Sequence, residues 1–177
     1  MTAIRKDIPL TAARVRELLR YDPDTGELTW RVKGRGSGIG NRAGAVCGPY
    51  RQICVDGVHC REHRLIWFME TGEWPPEYID HRNRIGTDNR WLNLRCATPC
   101  QNNMNRDAGK NSKTGIVGVC PDKASGKYEA HITVNGRLLH LGKYECVEAA
   151  SAVRCEAARH YFGDFARQAE EYGYAAE

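Results

Sequence analysis

Long apolar runs are missing from this chain. No stretch approaches the roughly 18 residues that a membrane-spanning helix needs, so no span is expected. The first residues, MTAIRKDIPLTAARVRELL, lack an apolar signal core and are broken by charge, so export is not expected and a cytoplasmic location is. Tight cysteine pairs of the zinc-binding kind are missing too. Of eight cysteines, the closest two are Cys96 and Cys100, with three residues between them. An extracellular disulfide framework does not suit a chain without a leader, so the thiols read as free and mostly buried, with no structural zinc expected. Nor does one sign of charge dominate. The formal net charge is +4, and its distribution says more than its size. Between Gln101 and Gly115, Arg106, Lys110 and Lys113 stand against one acid, Asp107, among four Asn, a composition suited to a phosphate backbone. No internal repeat stands out.

The 177 residues fit two small domains, and the sequence changes character near residue 106. Residues 11–20 read as a short helix, with Thr11 as N-cap and Val15, Leu18 and Leu19 at helical spacing. Asp22-Pro-Asp-Thr-Gly26 is a turn, 27–32 alternates as a strand, and 33–40 is a Gly-rich mobile loop. Residues 45–60 read as a hairpin, with 50–55 as one strand and Asp56-Gly57 as its turn. A helix over 62–71 offers Leu65, Ile66, Phe68 and Met69 for burial, and Gly72 ends it before Trp74-Pro75-Pro76. After a polar linker at 107–114, three strands are predicted at 115–121, 127–134 and 137–144. Asn135-Gly136 joins the last two as a type I′ turn. An amphipathic, alanine-rich helix follows over 147–162, and 168–177 reads as a flexible tail.

Chemistry concentrates in residues 78–105. Hydrolysing a phosphodiester takes a base to accept a proton from water and a divalent cation to stabilise charge on the phosphate and the leaving oxygen. A histidine, with a pKa near neutrality, suits the first task, and oxygen ligands from Asp and Asn suit Mg²⁺. Asp80 and His81 are adjacent at the end of a predicted strand. Thr98 and Pro99 can open a short helix that carries Asn102. A strand, a loop, a returning strand at 94–97 and that helix would bring Asn102 back to Asp80.

The matching pieces are Ile-Asp80-His81, then Asp88-Asn89-Arg90 followed by Asn93-Leu94-Arg95, then Gln101-Asn102-Asn103. In this order they resemble the HNH endonuclease family with its ββα-metal site, most closely the phage and intron-encoded homing branch. The resemblance implies that His81 is the general base and that Asn93 pins the loop and so orients it. It implies Asp80 and Asn102 as ligands of one Mg²⁺ or Mn²⁺, double-stranded DNA as substrate, and a bacterial host cell as the setting. Arg82, Arg84, Arg90 and Arg95 surround the expected site and suit phosphates. His63 resembles a recurring piece of these proteins, and packing or phosphate contact suits it better than catalysis. His59 reads as a plain strand residue. Asp88 caps the turn before Trp91, and Trp67, Trp74 and Trp91 read as core.

A second constellation lies further on: Gly115-Ile-Val-Gly118-Val, Gly126-Lys-Tyr-Glu-Ala130-His-Ile, Asn135-Gly-Arg-Leu-Leu-His-Leu141-Gly142 and Tyr161-Phe-Gly163-Asp-Phe165-Ala. It resembles the APETALA-two (ethylene-response-factor) DNA-binding domain, a three-stranded sheet laid on one helix. Alternation places Tyr128, Ala130, Ile132 and Val134 on one face and Lys127, Glu129, His131 and Thr133 on the other. Ala149, Ala150, Ala152, Val153 and Ala157 are expected to let the helix approach the sheet. Lys123, Lys127, Glu129, His131, Arg137 and Lys143 are the candidate DNA contacts, with backbone positioning a safer role than base readout.

The expected architecture is therefore α+β: a ββα-metal nuclease domain over 1–106 and a three-stranded antiparallel sheet packed on one helix over 115–167. One site per chain needs a homodimer, or two successive events, to cut both strands. Two rivals stay open, a DNA-binding regulator on a nuclease scaffold that no longer cuts and a zinc-stabilised nucleic-acid-binding protein.

Overall fold

The computed structural model describes residues 10–33 and 38–166. Part of the expected mobile loop (34–37) and the expected tail (168–177) lie outside the described residues. Helix and antiparallel sheet are mixed, and the chain divides into two compact units, Met1–Pro99 and Cys100–Glu177. The short helix that carries Asn102, counted with the first domain in the sequence, belongs to the second unit by its contacts.

In the first unit, Thr11 Oγ accepts the Arg14 backbone N–H at 3.1 Å and opens α1 (Ala12–Leu18), which buries Val15 and Leu18. The apolar pattern runs on through Leu19, but the helix does not. Leu19 is extended, fully buried, and begins β1 (Leu19–Asp22), which pairs with β2 (Glu27–Trp30). The cause is the turn. Asp22 Oδ1 accepts the N–H groups of Asp24 and Thr25, and Gly26 takes φ +74°, so the chain reverses into a hairpin and the residues before the turn must pair.

Strands β3 (Ala45–Cys47), β4 (Tyr50–Val55) and β5 (Val58–Arg61) form one antiparallel sheet in that order, with Asp56 and Gly57 both at positive φ in the turn predicted there. β5 runs straight into α2 (Glu62–Thr71), which stops at left-handed Gly72. Glu62 and Arg51, both buried, meet at 2.7 Å and tie the first turn of α2 to β4. β6 (Tyr78–His81) then pairs antiparallel with β7 (Leu94–Ala97), placing Asp80 opposite Arg95 and His81 opposite Leu94. One core joins these elements through Val15, Leu19, Leu28, Ile53, Val55, Leu65, Ile66, Phe68, Ile79 and Leu94. Trp67 and Trp91 pack on it as expected. Trp74 does not join it: stacked on Phe68, the residue is still 39% exposed.

The second unit holds α3 (Pro99–Met104), strands β8 (Val119–Pro121), β9 (Tyr128–Val134) and β10 (Arg137–Tyr144) in the sheet order β10-β9-β8, and α4 (Val147–Phe162). The first of these strands is shorter than its sequence suggests. Gly115 and Gly118 take φ of +70° and +76°, and a Cβ on Gly118 would lie 2.3 Å from the His131 carbonyl oxygen, so 115–118 turns instead of pairing. Ala130 and Ile132 face inward as their alternation predicts, over a core of Ile116, Val119 and Ala150. On α4 the buried stripe is Ala150, Ser151, Arg154, Cys155 and Ala158. Ala152 is exposed, because it falls off the 3.6-residue period that this stripe sets. The cysteines also depart from expectation: all eight are free, but only Cys155 is buried, and Cys47, Cys54, Cys100 and Cys146 are exposed. Among the described residues, no helix is long and apolar enough to cross a membrane.

Candidate active site

Between β6 and β7 the chain crosses as a loop over 82–93. It has little apolar surface to pack, and Ile85 points outward at 55% exposure, so hydrogen bonds must fix its shape. Asn93 supplies several. Its Oδ1 accepts the Asn83 N–H at 3.0 Å, and its Nδ2 donates to Asn83 Oδ1 at 2.9 Å and to the Asp88 carbonyl at 2.7 Å. Asp88 receives Asn83 Nδ2, the Arg90 guanidinium and the Arg90 N–H, and the Arg90 side-chain bond is the main reason its pKa lies below the ordinary carboxylate value. Arg84, at φ +63°, donates its backbone N–H to the His81 carbonyl.

Two neighbouring elements hold the loop from outside. The Tyr21 hydroxyl donates to the Asn89 carbonyl at 2.8 Å, and Trp91 N–H donates to the Pro23 carbonyl at 3.1 Å. A Cβ on Gly26 would lie 2.4 Å from the Arg90 nitrogen, so the β1–β2 turn approaches as only glycine allows. On the other side, a Cβ on Gly86 would lie 2.3 Å from the Pro49 carbonyl oxygen and 2.7 Å from the Tyr50 ring.

Inside this frame sits His81, 5% exposed, with Nε2 3.0 Å from Asn89 Oδ1. A carboxamide oxygen only accepts, so the ring proton is on Nε2 and Nδ1 keeps its lone pair. Burial lowers the His81 pKa, against the opposing pull of the Asn89 bond and the Asp80 and Asp88 charges, so the ring is neutral near pH 7. Asp80, 6% exposed, accepts Arg95 Nε at 2.8 Å and Nη2 at 2.6 Å on the one oxygen Oδ2. Arg95, expected at the surface for phosphate, is itself buried against this carboxylate.

The first unit thus brings together Asp80, His81, Asn93 and Arg95, while Asn102 lies on α3 in the second unit. Asn89 is the functional candidate that the sequence did not single out. It lies inside the Asp88-Asn89-Arg90 piece, but Asn83, Asn89 and Asn93 all fall in the same loop, and spacing alone does not say which one meets the histidine. Arg82 is exposed and Arg84 half-buried in that loop. In the second unit Arg106, Lys110, Lys113 and Arg137 are exposed. Lys127 is bonded to Glu145 and Lys143 to Asp122. His131 is half-buried and borders a cavity of about 320 Å³ with Arg106 and Arg154.

No group of three or more His, Cys, Asp or Glu is placed to hold a metal among the described residues. A magnesium-type cation asks for less than that, since it takes hard oxygen donors and keeps several waters. The Asp80 carboxylate beside His81 is such a donor.

Residues 60–104 match the HNH endonuclease family. Over 106 residues the chain is 30% identical to an uncharacterised HNH endonuclease of Acanthamoeba polyphaga mimivirus, covering 59% of this chain and 54% of the relative. The chain thus spans about half the length of the curated relative it matches. No solved structure matches it. The segment that carries Asp80, His81, Asn93 and Asn102 is similar to HNH endonucleases.

Proposed function

We propose that the chain is a metal-dependent endonuclease that hydrolyses phosphodiester bonds of double-stranded DNA, of the homing or phage-encoded HNH type. The observation that carries the reading is the buried, neutral His81, tied through Nε2 to Asn89 and adjacent to the Asp80 carboxylate. With Nε2 committed to Asn89, Nδ1 is the atom that accepts a proton from the attacking water. Asn89 then stabilises the charged imidazolium by keeping its carboxamide oxygen on the Nε2 proton. Asn93 holds the loop that presents Asn89. Arg95 neutralises and orients Asp80.

Asp80 and Asn102 are the proposed ligands of Mg²⁺ or Mn²⁺, Asn102 by its place in the family order. When bound, the cation neutralises charge on the phosphate and on the leaving oxygen. In the second unit, the sheet-on-helix fold with its exposed Arg137, and the exposed Arg106, Lys110 and Lys113 before it, support a role like that of the APETALA-two domain in holding the DNA backbone. The viral relative supports a phage or mobile-element setting, and a homodimer is the proposed way of cutting both strands. The test is conversion of supercoiled plasmid and of phage genomic DNA with Mg²⁺ or Mn²⁺ against EDTA. Open-circular or linear product in the metal arms alone supports the reading. Binding without cleavage in every arm favours the regulator instead.

A further inference from the structure

A second buried histidine of this unit lies against His81. His63, on the opening turn of α2, is 2% exposed, and its ring stands edge-on to His81 with centroids 4.9 Å apart and planes at 88°. The Tyr50 ring closes the group, 5.3 Å from His63 and 6.0 Å from His81, and the Arg61 guanidinium lies 4.4 Å over it. Tyr50 also forms the wall against which Gly86 packs, so one aromatic group touches both the His81 ring and the loop that carries Asn89.

A histidine ring needs more than one hydrogen bond to hold its plane. Its second torsion is broad and roughly two-fold, and the bond from Nε2 to Asn89 selects one of the two wells without fixing the tilt within it. An edge-on ring at van der Waals distance supplies that second constraint. His63 suits the task because its own place is set by the helix and by the buried Arg51–Glu62 pair at the adjacent residue. It also stays uncharged: burial first, and His81 next, push its pKa down to about 3, so it does not repel the charge that His81 gains.

We propose that His63, backed by Tyr50, is a positioning residue for the nuclease reaction, setting the plane of the His81 imidazole so that Nδ1 faces the attacking water. This inference rests on the nuclease reading above, and it assigns His63 a shape-based role through His81, with no contact to the phosphate.

The experiment compares wild type, His63→Ala and His63→Phe, each checked for cooperative melting. Plasmid cleavage in Mg²⁺ is followed under single turnover beside DNA affinity, with ¹⁵N imidazole spectra and ring-to-ring proton contacts of His81 recorded at one neutral pH. A misplaced base costs up to about a hundredfold in rate, so His63→Ala should cleave ten- to a hundredfold more slowly with DNA affinity within about twofold, and the flat ring of His63→Phe should restore most of the rate. In the spectra, wild-type His81 should show one tautomer protonated on Nε2 and contacts to the His63 ring, and His63→Ala should show a mixture. A folded His63→Ala that cleaves at the wild-type rate overturns the proposal. So does one that loses affinity in step with rate, which makes His63 a phosphate contact. If wild type cleaves neither the plasmid nor phage genomic DNA, the nuclease reading fails, and the spectra still decide: a His81 signal unchanged by His63→Ala overturns the positioning role, and a change from one tautomer to a mixture supports it.

Discussion

Asn89 meets His81 side chain to side chain at 3.0 Å, while its own backbone carbonyl accepts the Tyr21 hydroxyl at 2.8 Å. One residue thereby links the β1–β2 hairpin to the proposed base. Replacing Asn89 by Ala removes the acceptor of the buried His81 Nε2 proton, which costs about 1–3 kcal/mol. We expect Asn89→Ala to lose that much in denaturant unfolding and to cleave about 10- to 100-fold more slowly, since Nδ1 is no longer held as the acceptor. Unchanged cleavage by a folded variant would remove Asn89 from the mechanism.

Gly86 has no space for a methyl group, with the Pro49 carbonyl oxygen 2.3 Å from where a Cβ would sit. Gly86→Ala must push the 82–93 loop away from Tyr50, at a cost of about 1–3 kcal/mol. Faster amide hydrogen exchange across 82–93, with protection in α4 unchanged, is the expected signature. Equal exchange in the variant would show that the loop does not pack on β4.

His63 makes the stability of the first unit depend on acidity. Its pKa falls from the ordinary 6.5 to about 3 in the folded chain, so between these values the unfolded chain binds more protons. The sign follows: this contribution is fully present above pH 6.5 and is lost as pH falls towards 3, at up to about 1.4 kcal/mol per pH unit. His63→Phe removes that proton, so its unfolding free energy should fall less steeply with acidification over this window. Parallel slopes in urea titrations at successive pH values would contradict a buried neutral His63.

Lys143 is bonded to Asp122, whereas Arg137 is exposed just after the turn that Asn135 and Gly136 make. If the second unit holds the DNA backbone, Arg137→Ala should reduce the slope of log affinity against log salt by about 0.9, one phosphate contact. Lys143→Ala should change it less, because Asp122 already competes for that charge. Equal losses from both variants would place the two side chains alike on DNA.

Much of the frame could be read from the residues. Thr11, Asp56-Gly57, Gly72 and Asn135-Gly136 act through local backbone chemistry, and the structure has a cap, a turn, a stop and a turn at those places. Leu19 could not be assigned that way, since it continues a helical stripe with Val15 and Leu18 and alternates with Tyr21 equally well, and the turn at Asp22 to Gly26 decides between them. Asp80, His81 and Asn93 stood out by order and spacing. Asn89, the contact of His63 with His81 and the burial of Arg95 did not, because each depends on a contact between residues distant in sequence: a loop folding back on a strand end, a helix start meeting it, and a cross-strand pair.

The central claim, that His81 is the base of a metal-dependent DNA nuclease, is tested most directly by relaxation of supercoiled plasmid with Mg²⁺, comparing wild type with His81→Ala at matched DNA binding. The account predicts that wild type yields open-circular or linear DNA, that EDTA abolishes it, and that His81→Ala retains binding but cleaves about 10²- to 10⁴-fold more slowly. Cleavage by His81→Ala at the wild-type rate would contradict it.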